Sequence, residues 1–180
     1  MKAKLFGCLL LALAMLASVP SAFAALNAYL YMTGNKSGQI KGSVTQKGRE
    51  GSIMVIAYSH NISAQTDASS GLPTGKSKSS VLVITKEVDK SSPILYQMLV
   101  NNENIKDFRL DFWQPSGSGK EQQHYTIKLT NARIVSIKSE MLNNKYPENM
   151  QHKEREVISF SYEKITWTYQ DGGITSSANW

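Results

Sequence analysis

The chain has 180 residues, a formal net charge of +6, 41% hydrophobic residues and a single cysteine. One cysteine excludes an internal disulfide and a cysteine-rich metal site. The basic residues are spread out (Lys36, Lys41, Lys47, Arg49, Lys76, Lys78), which argues against nucleic-acid binding, a function that needs a concentrated patch.

Lys2 and Lys4 form a basic start, Leu5 to Leu16 is apolar, and Ala22-Phe23-Ala24 supplies a small-x-small cleavage pattern. These three regions in order predict a cleavable signal peptide over residues 1–24. The apolar run is too short to span a bilayer, so no stable membrane insertion is expected. Cys8 lies inside the apolar run, not after it where a lipidated cysteine belongs, and leaves with the leader. Loss of Lys2 and Lys4 lowers the net charge from +6 to +4. Residues 25–180 then form one domain with no second composition regime, held together by packing alone in an oxidising compartment.

Short strands are expected at Ala28 to Met32 and Ile40 to Val44. Ile53 to Tyr58 and Val81 to Ile84 are continuously apolar, which predicts strands covered on both faces. Ser63 to Ser80, rich in Ser, Thr, Gly and Lys, has no periodic pattern; connections of this length are functional or disordered. A helix is predicted from Pro93 to about Asn101, with Ser92 as its cap and Pro93 in the first turn. Ile94, Leu95, Met98 and Leu99 share its apolar face.

Phe108 to Phe112 and Tyr125 to Leu129 alternate with period two, joined through the flexible Pro115-Ser-Gly-Ser-Gly119. Ala132 to Ile137 adds another strand. In the last long strand Ile158, Phe160 and Tyr162 share one face, whereas Ile165, Trp167 and Tyr169 share the other. The switch near Glu163 demands a bulge or a strand that leaves one sheet for another, as at a barrel corner. The fold class read from these patterns is mainly β: a two-sheet β-barrel with one flanking α-helix.

Chemistry is poorly represented. Ser70 to Ser77 ends in the Gly-Lys-Ser of a phosphate loop, but Ser70 stands where the first glycine belongs and a strand follows where a helix is required. His60, His124 and His152 are far apart. His152, Glu154 and Glu156 would line one strand face, read as a solvated polar face and not as metal ligands. No local serine-hydrolase signature is present. Tyr29, Tyr31, Trp113, Trp167 and Trp180 are weighed as a sugar-binding platform against cross-strand packing, and packing is favoured. No catalytic, cofactor-binding or metal-binding residue is nominated, and no enzymatic activity is expected.

From Ala28 to Trp180 the chain resembles the haemolysin-coregulated protein (Hcp) family, the tube protein of type VI secretion systems. The resemblance rests on Ile40-Lys-Gly-Ser-Val44, Arg49-Glu-Gly-Ser-Ile53, His60-Asn61 and Thr85-Lys-Glu-Val-Asp-Lys-Ser-Ser-Pro-Ile-Leu-Tyr96. Tyr162-Glu-Lys-Ile-Thr-Trp-Thr-Tyr169, Asp171-Gly172 and Trp180 complete it. It implies a β-barrel with one helix, a homohexameric ring that stacks into a tube, a spike protein at the tube tip, effector cargo in the lumen and no catalytic centre in the core domain. It also implies that Ser63 to Ser80 is the protruding loop between stacked rings. The leader departs from the family habit of leaving the cytoplasm through the apparatus. It implies a secreted product passing through the periplasm, with a cytoplasmic tube pool only if the leader is unused. A monomeric exported β-barrel that binds a glycan or protein surface is the alternative expectation.

Overall fold

The computed structural model describes residues 26–75, 78, 79, 81–117 and 119–180; the leader expected at 1–24 lies outside them. The strands are β1 (Ala28–Gly34), β2 (Gly38–Ile40), β3 (Ile53–Val55), β4 (Ala57–Ser59), β5 (Ile62–Ser63), β6 (Lys78–Ser79) and β7 (Leu82–Glu87). Helix α1 (Ser92–Val100) follows, then β8 (Asn104–Pro115), β9 (Glu121–Thr130) and β10 (Ala132–Glu140). β11 (Arg155–Ser161), β12 (Lys164–Tyr169) and β13 (Ile174–Asn179) end the chain. Among the described residues, no helix is long and apolar enough to cross a membrane.

All pairings are antiparallel, and they close on themselves. β1 lies between β3 and β8, β8 touches β10, β10 pairs β11, β11 pairs β7, and β7 pairs β4, the continuation of β3. β9, β12 and β13 extend the β8 side as a wing. Two long bent strands make the corner. The β9–β10 strand turns at Asn131, in the left-handed region at φ +49°, and the β11–β12 strand turns at Tyr162–Glu163. Asn131 donates to the Glu163 carboxylate at 2.6 Å, and the Glu163 N–H donates to the Thr130 carbonyl at 3.1 Å, so the two bends are stitched together. The face switch expected at Glu163 is this corner: Ile158 and Phe160 enter the core from one sheet and Ile165 from the other, all at 0% exposure.

The core follows the alternation. Leu30, Ile53, Leu82, Ile84, Leu110, Ile127, Ile158 and Phe160 are buried, and Leu95 and Met98 of α1 join the same cluster. Four expectations are corrected. The segment expected as a strand from Ile40 to Val44 leaves the ladder after Ile40 and becomes a tight loop back to β3. There a Cβ on Gly42 would lie 2.2 Å from the Ser52 carbonyl oxygen, so only glycine allows that approach. The apolar runs are covered on one face, with Ile56 44% and Val81 39% exposed, because the strand from Ile53 crosses at Ile56 from β1 to β7. The helix caps at Ser91; Ser92 lies inside it, its hydroxyl turned towards a buried ion pair. The 63–80 segment is not patternless, since β5 and β6 pair as a separate two-stranded hairpin.

Among the described residues, the ion pair has the least-exposed charge. Lys86 is on the core face of β7 at 0% exposure, directly opposite Glu156 of β11 in the ladder. Its Nζ donates to Glu156 at 2.8 Å and to Ser92 Oγ at 2.9 Å, with Asp89 at 3.0 Å. Ser92 Oγ donates to Glu156 at 2.8 Å and accepts the Asp89 N–H at 3.1 Å. Asp89 in turn accepts from the Ser43 N–H at 3.1 Å, tying in the β2–β3 loop. One serine hydroxyl and two carboxylates thus satisfy a cation that would otherwise carry a heavy desolvation cost.

The far end of α1 is fixed the same way. Glu103, 5% exposed, accepts the Lys36 and Ser37 N–H groups at 2.6 and 2.8 Å and the Ser37 hydroxyl at 2.8 Å. Burial alone would raise the Glu103 carboxyl, but the N–H groups of Ser37 and Lys36 outweigh it and hold the group below its ordinary value. Removal of one partner of the buried pair leaves the other uncompensated. Glu156→Ala is therefore expected to destabilise the fold by about 3–5 kcal/mol, read as a lower midpoint in urea unfolding; a loss under about 1 kcal/mol would show that the pair is not needed.

Candidate functional site

The titratable residues singled out in the sequence do not converge. His152 and Glu154 sit in the exposed turn before β11, while Glu156 points to the core with Ile158 and Phe160 and is consumed by Lys86. His60 bonds to the Tyr162 hydroxyl, and His124 lies on β9. Among the described residues no group of three or more His, Cys, Asp or Glu could hold a metal ion. The segment resembling a phosphate loop runs partly outside the described residues and leads into β6, not into a helix.

The five aromatics weighed as a platform divide between places. Tyr29, Tyr31 and Trp113 lie on the outer face of β1 and β8, Trp167 faces the core side of β12, and Trp180 packs edge-on to Tyr162 with ring centroids 5.8 Å apart. Tyr29 is only 4% exposed, so the structure offers no shared platform.

What buries Tyr29 is Arg49. The loop between β2 and β3 folds back over the outer face of the barrel. There it lays the guanidinium on the Trp113 ring at 4.1 Å and the Tyr29 ring at 4.8 Å. Arg49 also pairs with Glu121 of β9. Gln46 donates to the same carboxylate and accepts from Tyr29 Oη, each at 2.8 Å. A planar cation stacked on aromatic faces exploits the ring quadrupole, an arrangement an ammonium reproduces poorly. Beside it, Asp111 is 2% exposed; burial pushes its carboxyl up, against the pull of Arg109 and Thr126. Thr126 donates to Asp111 at 3.1 Å and accepts from Gln123 and Gln170 at 2.6 and 2.9 Å. The outer face therefore has a polar lining of its own.

Aromatics gather where the wing leaves the barrel. Phe112 stacks edge-on to Tyr58 at 5.4 Å and against Tyr125 at 5.6 Å. Burial, then the neighbouring Tyr125 and Tyr162, push the Tyr58 hydroxyl up to about 12, so it is a neutral packing group. From Tyr125 a cross-strand row continues through Tyr169 to Ile174, where exposure rises to 46% and then 68%. The row ends in solvent at β13, the outermost strand of the sheet. Apart from the main sheet stands the β5–β6 hairpin, whose tip is shaped by a Thr66–Pro73 bridge and by Asp67 accepting the N–H groups of Ser69 and Ser70.

Buried polar groups thus serve as construction ties. Sequence reasoning missed Lys86, Glu156, Asp89, Glu103 and Arg49 in these roles. For the first two a signal existed: Lys86 continues the alternation of Leu82 and Ile84, and Glu156 that of Ile158 and Phe160, so both fall on the core face.

Comparison with known proteins matches residues 29–169 to the family described as "Type VI secretion system effector, Hcp". The "Major exported protein" of Pseudomonas aeruginosa is 35% identical over 162 residues, covering 85% of this chain and 94% of that one. Among solved structures, "Crystal structure of Hcp protein" superposes with a TM-score of 0.81 at 27% identity, covering 87% of this chain and 98% of the other. A double mutant of the Hcp1 protein from E. coli EAEC 042 superposes with a TM-score of 0.76 at 34% identity, covering 87% and 99%.

Arg49→Lys keeps the charge but removes the stacking plane and the forked donors. It is expected to cost about 1–2 kcal/mol and to change the Trp113 fluorescence. An unchanged unfolding midpoint would show that the loop is held by charge alone.

Proposed function

Because the chain belongs to the Hcp family, the secreted tube proteins of type VI secretion systems, we propose that it forms homohexameric rings that stack into a tube carrying effectors. The tube would bear a spike protein at its tip and be released from the cell. Residues 1–24 are a cleavable leader and residues 25–180 the single ring-forming domain. The observation that carries this reading is the family match across residues 29–169, on a fold that superposes over nearly the whole of its relatives. Two further features support it. The buried charges Lys86, Glu103 and Glu156 are engaged in holding the barrel and its helix, and the β5–β6 hairpin forms a two-stranded sheet apart from the main one, available as a ring-to-ring contact.

Head-to-tail rings use two different patches on each subunit and close when the rotation between neighbours closes. No catalytic step is needed; flat complementary ring faces and an enclosed lumen do the work. Negative-stain images of the purified protein are expected to show six-fold rings with an open centre, and protein recovered from the medium is expected to begin at Ala25. Small solid particles without rings would support a monomeric exported binding module instead, and a recovered chain beginning at Met1 would remove the leader from the account.

A further inference from the structure

The outer face of β8, β9 and β12 carries buried polar groups that hold no loop or helix in place. Asp111 and Thr126 are 2% and 3% exposed and stand opposite each other in the ladder. Thr126 gives its one proton to Asp111 at 3.1 Å and accepts from the Gln123 and Gln170 amides at 2.6 and 2.9 Å. Asp111 also pairs with Arg109 Nε at 3.0 Å, and the guanidinium lies over the Tyr31 ring at 4.3 Å. Lys86, Glu103 and Arg49 each fix a helix, a turn or a loop. The strands joined here are already paired along their length, and Gln170 is held by its N–H to the His124 carbonyl at 2.9 Å. The buried acid therefore serves no joint.

What it does is fix groups that meet solvent. Arg109 keeps 47% of its side chain exposed with Nε committed to Asp111, and its two terminal nitrogens have no hydrogen-bond partner among the described residues. Lys128 is exposed directly opposite it on β9. Each glutamine spends an N–H on Thr126, which leaves its amide carbonyl as an acceptor. These four residues, with Thr126 and Thr168, line a cavity of about 320 Å³. Arg109 and Lys128 also border a second cavity of about 490 Å³, where Lys106 and Asp107 offset each other. The cationic row and the Thr126 row are two residues apart along β9, about 7 Å, comparable with the width of one sugar ring.

We infer that this face binds a carboxylated sugar of the uronic-acid type, with Arg109 and Lys128 on the carboxylate and Gln123 and Gln170 on the hydroxyls. The planar guanidinium edge matches a carboxylate. Asp111 offsets the charge of Arg109, so Lys128 is the uncompensated cation of the smaller cavity, which suits a singly charged carboxylate better than a doubly charged phosphate. A bare anion fits one end only, because the amide carbonyls repel it. A neutral sugar leaves the cation unmet. Recognition is by amides and cations on a fixed underlayer, not by the aromatics, and it does not depend on ring formation.

Isothermal titration calorimetry of the full protein at one fixed salt concentration tests this, with digalacturonic acid as the probe. Maltose, inorganic phosphate and glucose 6-phosphate are the comparisons. Digalacturonic acid is expected to bind at one site per chain, and each of the other three about tenfold more weakly or worse. Lys128→Gln removes the uncompensated cation and Gln170→Ala one amide, both at exposed positions. Each is expected to weaken binding about tenfold at an unchanged unfolding midpoint. Should Gln170→Ala lower that midpoint, Lys128→Gln decides alone. Absence of binding, or an affinity unchanged in both variants, would overturn the inference. Maltose or inorganic phosphate binding as tightly as the probe would overturn it too, and tighter binding of glucose 6-phosphate would overturn the choice of carboxylate. None of these results bears on the ring reading.

Discussion

A lysine with no solvent exposure organises this fold. Lys86 faces inward from β7 because it continues the alternation of Leu82 and Ile84, and the Glu156 carboxylate meets it from the adjacent strand. Around this pair, Ser92 brings in the start of the helix and Asp89 the loop that leads into β3. Four separate parts of the chain are thereby held at one point. Such a pair is weak evidence for net stability, since an apolar replacement of equal volume often serves as well. Its value here is positional, because each partner would be stranded in apolar surroundings by any other arrangement.

The rest of the barrel is built on the same economy. Two bent strands carry both sheets, joined at the corner where Asn131 and Glu163 meet. Glu103 holds the β1–β2 turn against the end of the helix; a Cβ on Gly34 would lie 2.4 Å from its Oε1, so a larger residue there would displace the carboxylate. Arg49 clamps the β2–β3 loop over the outer face by stacking, not by chain pairing. Charged side chains that sequence inspection assigns to solvent are thus spent on joints between elements.

Much of this was legible in the residues, and the failures have physical causes. The face switch at Glu163 was visible because a period-two pattern cannot change face without a bend. Pro115 to Gly119 announced its hairpin. Glu156 was misread as part of a solvated face and Lys86 was not singled out, because a charge on a strand is usually solvated, although the parity of their apolar neighbours places both inside. The runs at Ile53 to Tyr58 and Val81 to Ile84 were expected to be covered on both sides. In the single subunit their outer members, Ile56 and Val81, meet solvent. Arg49 gave no local signal, since its partners Tyr29, Trp113 and Glu121 come from three strands brought together only by the closed barrel.

A fold whose buried charges serve its joints, with a two-stranded hairpin set apart from its main sheet, is fitted for assembly. The family to which it belongs makes tubes, and the account holds that this chain makes their ring. Light scattering of the purified protein across a wide concentration range is the most direct measure of that claim. The account predicts a mass six times that of one chain, maintained on dilution. A mass of one chain at every concentration would contradict it.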